Sequence, residues 1–306
     1  MLSDIKDLEE TLSLERIEEN RRIIAMMANG NDITEVFSPP RIAETAKEMG
    51  LTQGESMDIK TGWDFSKPSD RKRAVEYIKM NKPFWVVGSP PCKLFSVIQR
   101  LNKRVHGREW TERFLERKKE AVTHLEFCVA IYRLQAVSGR YFVHEHPNSA
   151  SSWNEESIAK MIKIPGVIRV RADQCMYGLS TRVKDEVRRA MEPPGFMTNS
   201  WCIAKRLSRR CEGGHEHFSL MEGRASAAEV YLRRLCQEVC KGIREQKEYD
   251  KKGTTCSKAL HSMELDRVIR DAGWPSHWKD DMHGGTDEER ELAKEIYMLS
   301  VKDGTA

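Results

Sequence analysis

The stretch that decides the fold is Pro83-Phe84-Trp85-Val86-Val87-Gly88-Ser89-Pro90-Pro91-Cys92. Its first six residues are the best candidate in the chain for a buried strand. The strand is expected to end before the two prolines, because proline fixes its own φ and has no amide hydrogen to donate. Cys92 then lies on the loop at the carboxyl end of this strand, where open α/β sheets collect ligands and catalytic groups.

Strands and helices alternate on both sides of this segment. Predicted strands cover 33–37, 55–59, 83–88, 141–144, 167–171 and 195–198, and predicted helices cover 1–28, 38–50, 70–81, 118–138, 225–247 and 287–300. Ser38 is expected to cap the second helix, since serine is a good N-cap and proline is tolerated in a first turn. This alternation predicts an α/β fold with a Rossmann-like, doubly wound, mostly parallel sheet and helical extensions at both ends.

The predicted organisation has three parts: an N-terminal helix (1–30), one α/β domain (31–247), and a linker with a C-terminal helical segment (248–306). The chain has 306 residues, of which 32% are charged, as expected of a soluble protein with one sizeable core. No apolar run of about 18 residues is present, so no membrane span is expected. Eight scattered cysteines and the absence of a signal-peptide pattern predict reduced thiols and a cytoplasmic or nuclear location.

Cys92 is the first candidate for a catalytic residue. The prolines at 90 and 91 stiffen its loop, and a reactive thiolate needs a held, partly exposed position of this kind. By residue type alone, a cysteine is more often a buried structural side chain. Its position directly after a buried strand favours a nucleophile instead.

Glu145 is the second candidate. It follows the strand Tyr141-Phe142-Val143-His144 and is expected at the same sheet edge as Cys92, where it could act as a general acid. The alternative is a helix-capping or solvated glutamate. His144 and His146 should lie on the other side of the strand and have structural roles, and Pro147 is expected to start the next helix.

Together these segments resemble the cytosine-5 DNA methyltransferase family. Pro91-Cys92-Lys93-Leu94-Phe95-Ser96 matches the family motif Pro-Cys-x-x-Phe-Ser at every fixed position, and Glu145-His146-Pro147 keeps the glutamate of its Glu-Asn-Val motif. The resemblance covers about residues 33–200. It extends to methyltransferase-like domains of phages and retroelements that carry Ser-Pro-Pro-Cys and Glu-His-Pro in this order, so an origin in a phage or mobile element is possible.

The resemblance implies a class I fold that uses S-adenosylmethionine, and it implies a role for each motif. Cys92 would attack carbon 6 of a flipped cytosine while Glu145 hydrogen-bonds or protonates N3. Carbon 5 becomes nucleophilic only after this addition, and the base must leave the duplex stack to be reached. Arg182, preceded by Tyr177 and Gly178, is the nearest counterpart of the family's arginine that contacts the cytosine carbonyl.

The segment that corresponds to the family's cofactor-binding loop departs from the family pattern. The family's Phe-x-Gly-x-Gly loop corresponds to the segment that begins at Phe37, and both glycines are absent here. Asp58 lies 21 residues after Phe37, close to the offset of an acid that binds ribose hydroxyls. Asp64 and Trp63 are candidates for the adenine, although each acid has an alternative role in a turn. The predicted cofactor-binding residues are Phe37, Ser38, Pro39, Asp58, Trp63, Asp64, Ser89 and Pro90.

A candidate metal site lies near 202–217. Cys211, His215 and His217 place one thiol and two imidazoles within seven residues, which is a ligand set that zinc accepts. Its fourth ligand could be supplied by Cys202, Cys175 or Cys236. The alternative is a solvated loop without metal.

Two basic segments, 100–119 and 205–210, are the candidate DNA contacts. Charge runs are more often solvated helix faces, and the net charge of +4 does not by itself indicate a nucleic-acid partner. Two other functions stay open. One is an amino-methyltransferase that acts on cytosine N4 or adenine N6, and the other is a methyltransferase fold that only binds nucleic acid.

Overall fold

The computed structural model describes residues 30–96, 99, 102, 105–164, 166–183, 186–190, 193–218 and 231–252. Within these residues the strands are β1 Ile33–Val36, β2 Gln53–Met57, β3 Trp85–Gly88, β4 Tyr141–Pro147, β5 Ile168–Arg171, β6 Ser180–Val183, β7 Glu186–Arg189 and β8 Pro194–Thr198. The helices are α1 Ile42–Glu48, α2 Pro68–Asn81, α3 Arg108–Val137, α4 Glu156–Ile162, α5 Trp201–Arg206 and α6 Arg233–Lys252. Short 3-10 helices cover Ile59–Thr61, Lys93–Phe95, Ser151–Asn154 and Gln174–Tyr177.

Six strands form one sheet in the order β2-β1-β3-β4-β8-β5. Strands β1 to β4 run parallel, whereas β8 is antiparallel to both of its neighbours. The predicted mostly parallel α/β sheet is therefore confirmed. Between β5 and β8 the described residues form a 3-10 helix and the β6–β7 hairpin but no α-helix. A parallel return usually needs a helical crossover, which agrees with the reversed direction of β8.

Helices cover both faces of the sheet. On one face α2, α3 and α4 contribute Val75, Leu125 and Ile158 to an apolar core. On the other face α1, α5 and α6 contribute Ile42, Ile203 and Val239 to a second core. Burial on both faces explains why β3 is apolar throughout, and it agrees with the doubly wound prediction.

Several predicted boundaries differ from the structure. The prediction that Pro147 starts a helix is wrong, because Pro147 ends β4 and pairs with Pro194 of β8. Helix α3 begins ten residues earlier than expected, and α6 continues through 248–252 into the expected linker. The predicted helices at 1–28 and 287–300 lie outside the described residues, as does the rest of that linker.

The order of the strands predicts a crevice at the carboxyl edge of the sheet. The chain passes from β1 to β2 on one side and then returns to place β3 on the other side of β1. Such a reversal of strand order opens a space between the loops that follow β1 and β3, which is where open α/β sheets bind ligands. Among the described residues, no helix is long and apolar enough to cross a membrane.

Candidate active site

The loop after β3 presents Cys92 at this edge. Gly88 ends the strand beneath Tyr132, and a Cβ at Gly88 would lie 2.0 Å from the Tyr132 hydroxyl oxygen, so a larger residue does not fit. Cys92 is half-buried and precedes the 3-10 helix Lys93–Phe95, whose Phe95 amide donates to the Cys92 carbonyl over 2.9 Å. The phenyl ring of Phe95 is buried below and anchors the turn. The structure thus places Cys92 on a held, partly exposed loop, as the sequence predicts.

One hydrogen-bond path joins this loop to β4 through His146. The His146 Nε2 atom lies 2.8 Å from the carbonyl oxygen of Pro90, and its Nδ1 atom lies 2.6 Å from Ser152 Oγ. A carbonyl oxygen only accepts, so Nε2 carries the hydrogen and Nδ1 accepts from the serine. Burial lowers the pKa of His146 to about 4, so the ring is neutral at pH 7 and keeps this tautomer.

A second path crosses the opposite face of the sheet through Tyr231. Its phenol oxygen contacts Ser89 Oγ and donates to Glu145 Oε2 over 3.4 Å. Burial, together with the nearby Glu145 carboxylate, raises the pKa of Tyr231 well above its ordinary value, so the phenol stays protonated. Tyr231 lies just before α6, and no motif in the sequence indicates its role.

The two histidines of β4 lie on the opposite side of the strand from Glu145, as predicted. Both are fully buried, and His144 Nδ1 lies 3.0 Å from the Tyr132 hydroxyl oxygen. His144 thus bonds within the core, whereas His146 bonds to the loop that carries Cys92.

The loop after β1 is organised by Glu35, a buried residue of that strand. Glu35 Oε2 accepts from Ser38 Oγ over 2.7 Å, and Oε1 accepts from the amide of Ala43 in α1 over 2.8 Å. The prediction that Ser38 caps this helix is therefore wrong, because Arg41 holds the N-cap position and Ser38 is bonded to Glu35. Burial raises the pKa of Glu35, although its hydrogen bonds oppose the shift.

Phe37 has a left-handed backbone conformation with φ 58, which is uncommon for a bulky residue. Its ring centroid lies 4.7 Å from that of Phe65 and 6.3 Å from that of Phe127. Aromatic packing on the α3 face therefore holds the backbone at the point where the crevice begins.

Asp58 follows β2 at the same sheet edge. Its Oδ1 atom accepts from the amide of Lys60 over 3.0 Å, and Thr61 Oγ1 accepts from the Asp58 amide over 2.9 Å. These reciprocal bonds form a capping box for the 3-10 helix that follows. Asp58 thus lies at the position expected for a ribose-binding acid, and it also caps the 3-10 helix.

Trp63 and Asp64 have local partners as well. The guanidinium of Arg73 lies 4.0 Å from the centroid of the Trp63 ring, which is itself 9% exposed. Asp64 accepts from Ser66 Oγ over 2.6 Å, and the hydrogen bonds from Ser66 hold its pKa below the ordinary value. These contacts agree with the alternative of a turn residue for Asp64, and the Arg73 guanidinium already stacks on one side of the Trp63 ring.

Arg182 lies in β6, in the hairpin with β7. Its side chain is outside the described part of the structure, so its predicted contact with the cytosine carbonyl stays a prediction.

The predicted metal ligands lie together, with Cys175 in the 3-10 helix that follows β5. The ligand atoms of Cys175, Cys211, His215 and His217 all lie within 4.8 Å of one another. Of the three cysteines considered for the fourth position, Cys175 is the one in this group, since Cys202 lies on α5 and Cys236 on α6.

The arginines of segment 205–210 are paired with carboxylates. Arg206 and Arg209 lie 2.7 and 3.1 Å from Glu238 of α6, and Arg210 lies 3.0 Å from Asp173. These ion pairs join α5 and its following loop to the rest of the domain, which favours a structural role for this segment. In the described part of 100–119, exposed pairs such as Arg108–Glu112 lie along the start of α3.

No protein-family model, no curated protein and no solved structure matches this chain. The fold and the geometry of the sheet edge are therefore the grounds on which a function can be assigned.

Proposed function

We propose that this protein transfers a methyl group from S-adenosylmethionine to carbon 5 of cytosine in DNA, with Cys92 as the nucleophile. One observation carries the proposal. A thiol and a carboxyl group come from the ends of the adjacent parallel strands β3 and β4, and two hydrogen-bond paths tie these ends together. Covalent addition to a ring needs a nucleophile and an acid held in a fixed relation of this kind.

The architecture of the sheet supports the same assignment. Parallel strands with helices on both faces and a reversed strand β8 between β4 and β5 are typical of class I methyltransferases. The crevice between the β1 and β3 loops is the place where such a sheet would take its cofactor.

The proposed reaction assigns the addition to the base to two named side chains. The Cys92 thiolate forms a bond to carbon 6 of the flipped base, while the Glu145 carboxyl group stabilises the charge at N3 through a hydrogen bond or proton. S-adenosylmethionine, when bound, would supply the methyl group that the electron pair at carbon 5 takes up, and its sulfur would keep the electrons of the broken S–CH3 bond and leave as the neutral thioether S-adenosylhomocysteine. Loss of the carbon 5 proton to a base then expels Cys92 and restores the aromatic ring.

The candidate cofactor-binding residues differ in how well they suit S-adenosylmethionine. Asp58, at the end of β2, lies where an acid binds ribose hydroxyls in sheets of this kind. The loop after β1 offers fewer donors, because Pro39 has no amide hydrogen and Ser38 is bonded to Glu35. This loop would therefore contact the cofactor mainly by van der Waals packing rather than by hydrogen bonds, with Phe37 beneath it.

The amino-methyltransferase alternative is less well supported. Those enzymes place an aromatic residue after the two prolines, where its ring stacks on the flipped base. Here Cys92 occupies that position, and the nearby aromatic side chain, Phe95, is 1% exposed.

A trapping experiment tests the proposal. The full chain is incubated with tritiated S-adenosylmethionine and DNA that contains 5-fluorocytosine, which cannot lose a proton from carbon 5 and so traps the covalent enzyme. We expect a denaturation-resistant, tritiated protein–DNA adduct that is lost in Cys92→Ser. Cys202→Ser serves as the matched control, because Cys202 is also half-buried but lies on α5.

Three outcomes would contradict the proposal in different ways. Methyl transfer that survives Cys92→Ser would identify an amino-methyltransferase. An adduct with RNA but not with DNA would show that RNA, rather than DNA, is the substrate. Binding of DNA without binding of S-adenosylmethionine would leave a nucleic-acid-binding module.

A further inference from the structure

We infer that Cys175, Cys211, His215 and His217 bind one zinc ion as a structural site. Cys175 lies in the 3-10 helix Gln174–Tyr177, and the other three lie on the loop that follows α5. Two segments that are distant in sequence therefore meet at one point through groups that zinc accepts. This inference does not depend on the proposed methyltransferase activity.

Four of the distances between the ligand atoms lie within about 0.4 Å of the values for tetrahedral zinc. With Zn–S and Zn–N bonds of about 2.3 and 2.0–2.1 Å, tetrahedral angles place S and N about 3.6 Å apart and two N atoms about 3.3 Å apart. The Cys211 Sγ atom lies 3.5 Å from the Nε2 atoms of both histidines. The Cys175 Sγ atom lies 3.3 Å from His217 Nε2, and the two Nε2 atoms are 2.9 Å apart.

Hydrogen bonding alone accounts poorly for this arrangement. The His217 Nε2 atom faces the Nε2 atom of His215 and both sulfur atoms at once, yet a ring nitrogen carries at most one hydrogen. A single cation among the four atoms would satisfy all of them. The set of two thiolates and two imidazoles is one that structural zinc sites use.

The backbone after Cys211 turns sharply, and this turn brings the candidate ligands together. Gly213 and Gly214 have φ values of 91 and 78, a left-handed conformation that glycine adopts without strain. This turn folds His215 and His217 back over Cys211. The amide of Gly213 also donates to Cys211 Sγ over 3.4 Å, a contact of the kind that orients a metal ligand.

Asp173 fixes the loop that carries Cys211 through hydrogen bonds. Its Oδ2 atom accepts from the amide of Cys211 over 2.8 Å and from Arg210 Nε over 3.0 Å. The carboxylate thus joins the loop to the 3-10 helix that carries Cys175. Because all four ligands come from the protein, the ion would have no open position for substrate, which indicates a structural role.

The consequence is a fixed position for the chain after α5. Just beyond the last ligand, the Phe218 amide donates to the carbonyl of Arg189 over 2.8 Å, beside a bridge from Phe218 to Ala190. The zinc ion would therefore hold this loop to the end of β5 and to the hairpin that contains Arg182.

Elemental analysis of the purified full chain tests the inference. We expect one zinc ion per chain in the wild-type protein and less than about a tenth of that in Cys211→Ser and His217→Ala, since each loses one of four ligands. Cys202→Ser is the matched control and should keep its full zinc content. Removal of zinc with a chelator should lower the thermal unfolding midpoint by several degrees, and added zinc should restore it.

Cobalt provides a readout that does not require the variants to fold. The chelated wild-type chain, loaded with Co²⁺, should show the intense visible bands of a tetrahedral ion with thiolate ligands. A folded wild-type protein that contains no zinc and gives no such bands would overturn the inference. A protein mass lower by two hydrogens, with Cys175 and Cys211 joined as a disulfide, would also overturn it.

Discussion

The loops that follow β3 and β2, on either side of the β1 loop, are held in different ways. On the β3 side, the loop with Cys92 is fixed by residues far along the chain, since Ser89 contacts Tyr231 across 142 positions and Pro90 contacts His146 across 56. On the β2 side, Asp58 and Asp64 both bond to amides only two positions away. One side is thus held by the tertiary structure, and the other by local turns.

This difference has a functional meaning. Groups that are fixed by buried, long-range hydrogen bonds are preorganised for chemistry, because no free energy is needed to reorient them during the reaction. Groups with exposed local partners can exchange those partners for a ligand at little cost, since each such bond contributes only about 0.5–1.5 kcal/mol. The proposed nucleophile lies on the first side and the proposed cofactor acid on the second.

The largest effect is expected from pH, through His146. The unfolded chain binds a proton on this histidine below pH about 6.5, whereas the buried ring in the folded protein binds one only near pH 4. The free energy of unfolding should therefore be highest above pH 6.5 and fall by up to about 3 kcal/mol as the pH drops toward 4. Burial also lowers the pKa of His144, which adds to the fall.

Urea unfolding at pH about 7.5 and about 5 measures this change. The variant His146→Asn does not titrate, so its unfolding midpoint should depend less on pH than that of the wild type. An equal pH dependence in both proteins would show that His146 is not held neutral.

The next largest effect is expected from removing the His146 bond to the loop. In His146→Phe the Pro90 carbonyl loses its donor, and a displacement of Cys92 by about 1 Å should lower kcat about 100-fold. His144→Phe is the matched control, because it removes an equally buried histidine of β4 that bonds to Tyr132 instead. We expect that variant to lose stability but to keep most of its methyl transfer. Similar losses of kcat in both variants would contradict a positioning role for His146.

A smaller effect is expected at Tyr231. Tyr231→Phe removes the hydroxyl that joins Ser89 and Glu145, at a cost of about 1 kcal/mol, and should lower methyl transfer about five- to tenfold. The loss should appear in kcat, with S-adenosylmethionine binding unchanged in calorimetry. A weaker affinity for the cofactor would instead place Tyr231 in its binding site.

The smallest effect is expected on the locally held side. Asp58→Ala removes the cap of a 3-10 helix and should lower the free energy of unfolding by about 0.5–1 kcal/mol, whereas Asp58→Asn keeps a capping oxygen and should lower it less. Both variants should weaken S-adenosylmethionine binding, because both lose the carboxylate proposed to bind ribose. An unchanged dissociation constant in both would leave Asp58 with the capping role alone.

Much of the sheet edge could be predicted from local patterns. The apolar run before Ser89 and the strand before Glu145 indicate two neighbouring buried strands, and both side chains lie at the predicted edge. The reversal of β8 could not be predicted in this way, because it depends on the path of the chain after β5 rather than on the composition of β8. The bond from Ser38 to Glu35 was missed because a serine before a helix usually caps it.

The sequence by itself determined the six strands of the main sheet, most of the described helices, the loop that carries Cys92 and three of the four candidate zinc ligands. These features depend on hydrophobic periodicity and turn chemistry, which act over a few residues. The tertiary structure alone decided that Tyr231 and His146 hold the Cys92 loop and that Cys175 joins the other candidate zinc ligands. Such partners are chosen when helices and loops dock on the sheet, and docking brings together residues that no local pattern relates.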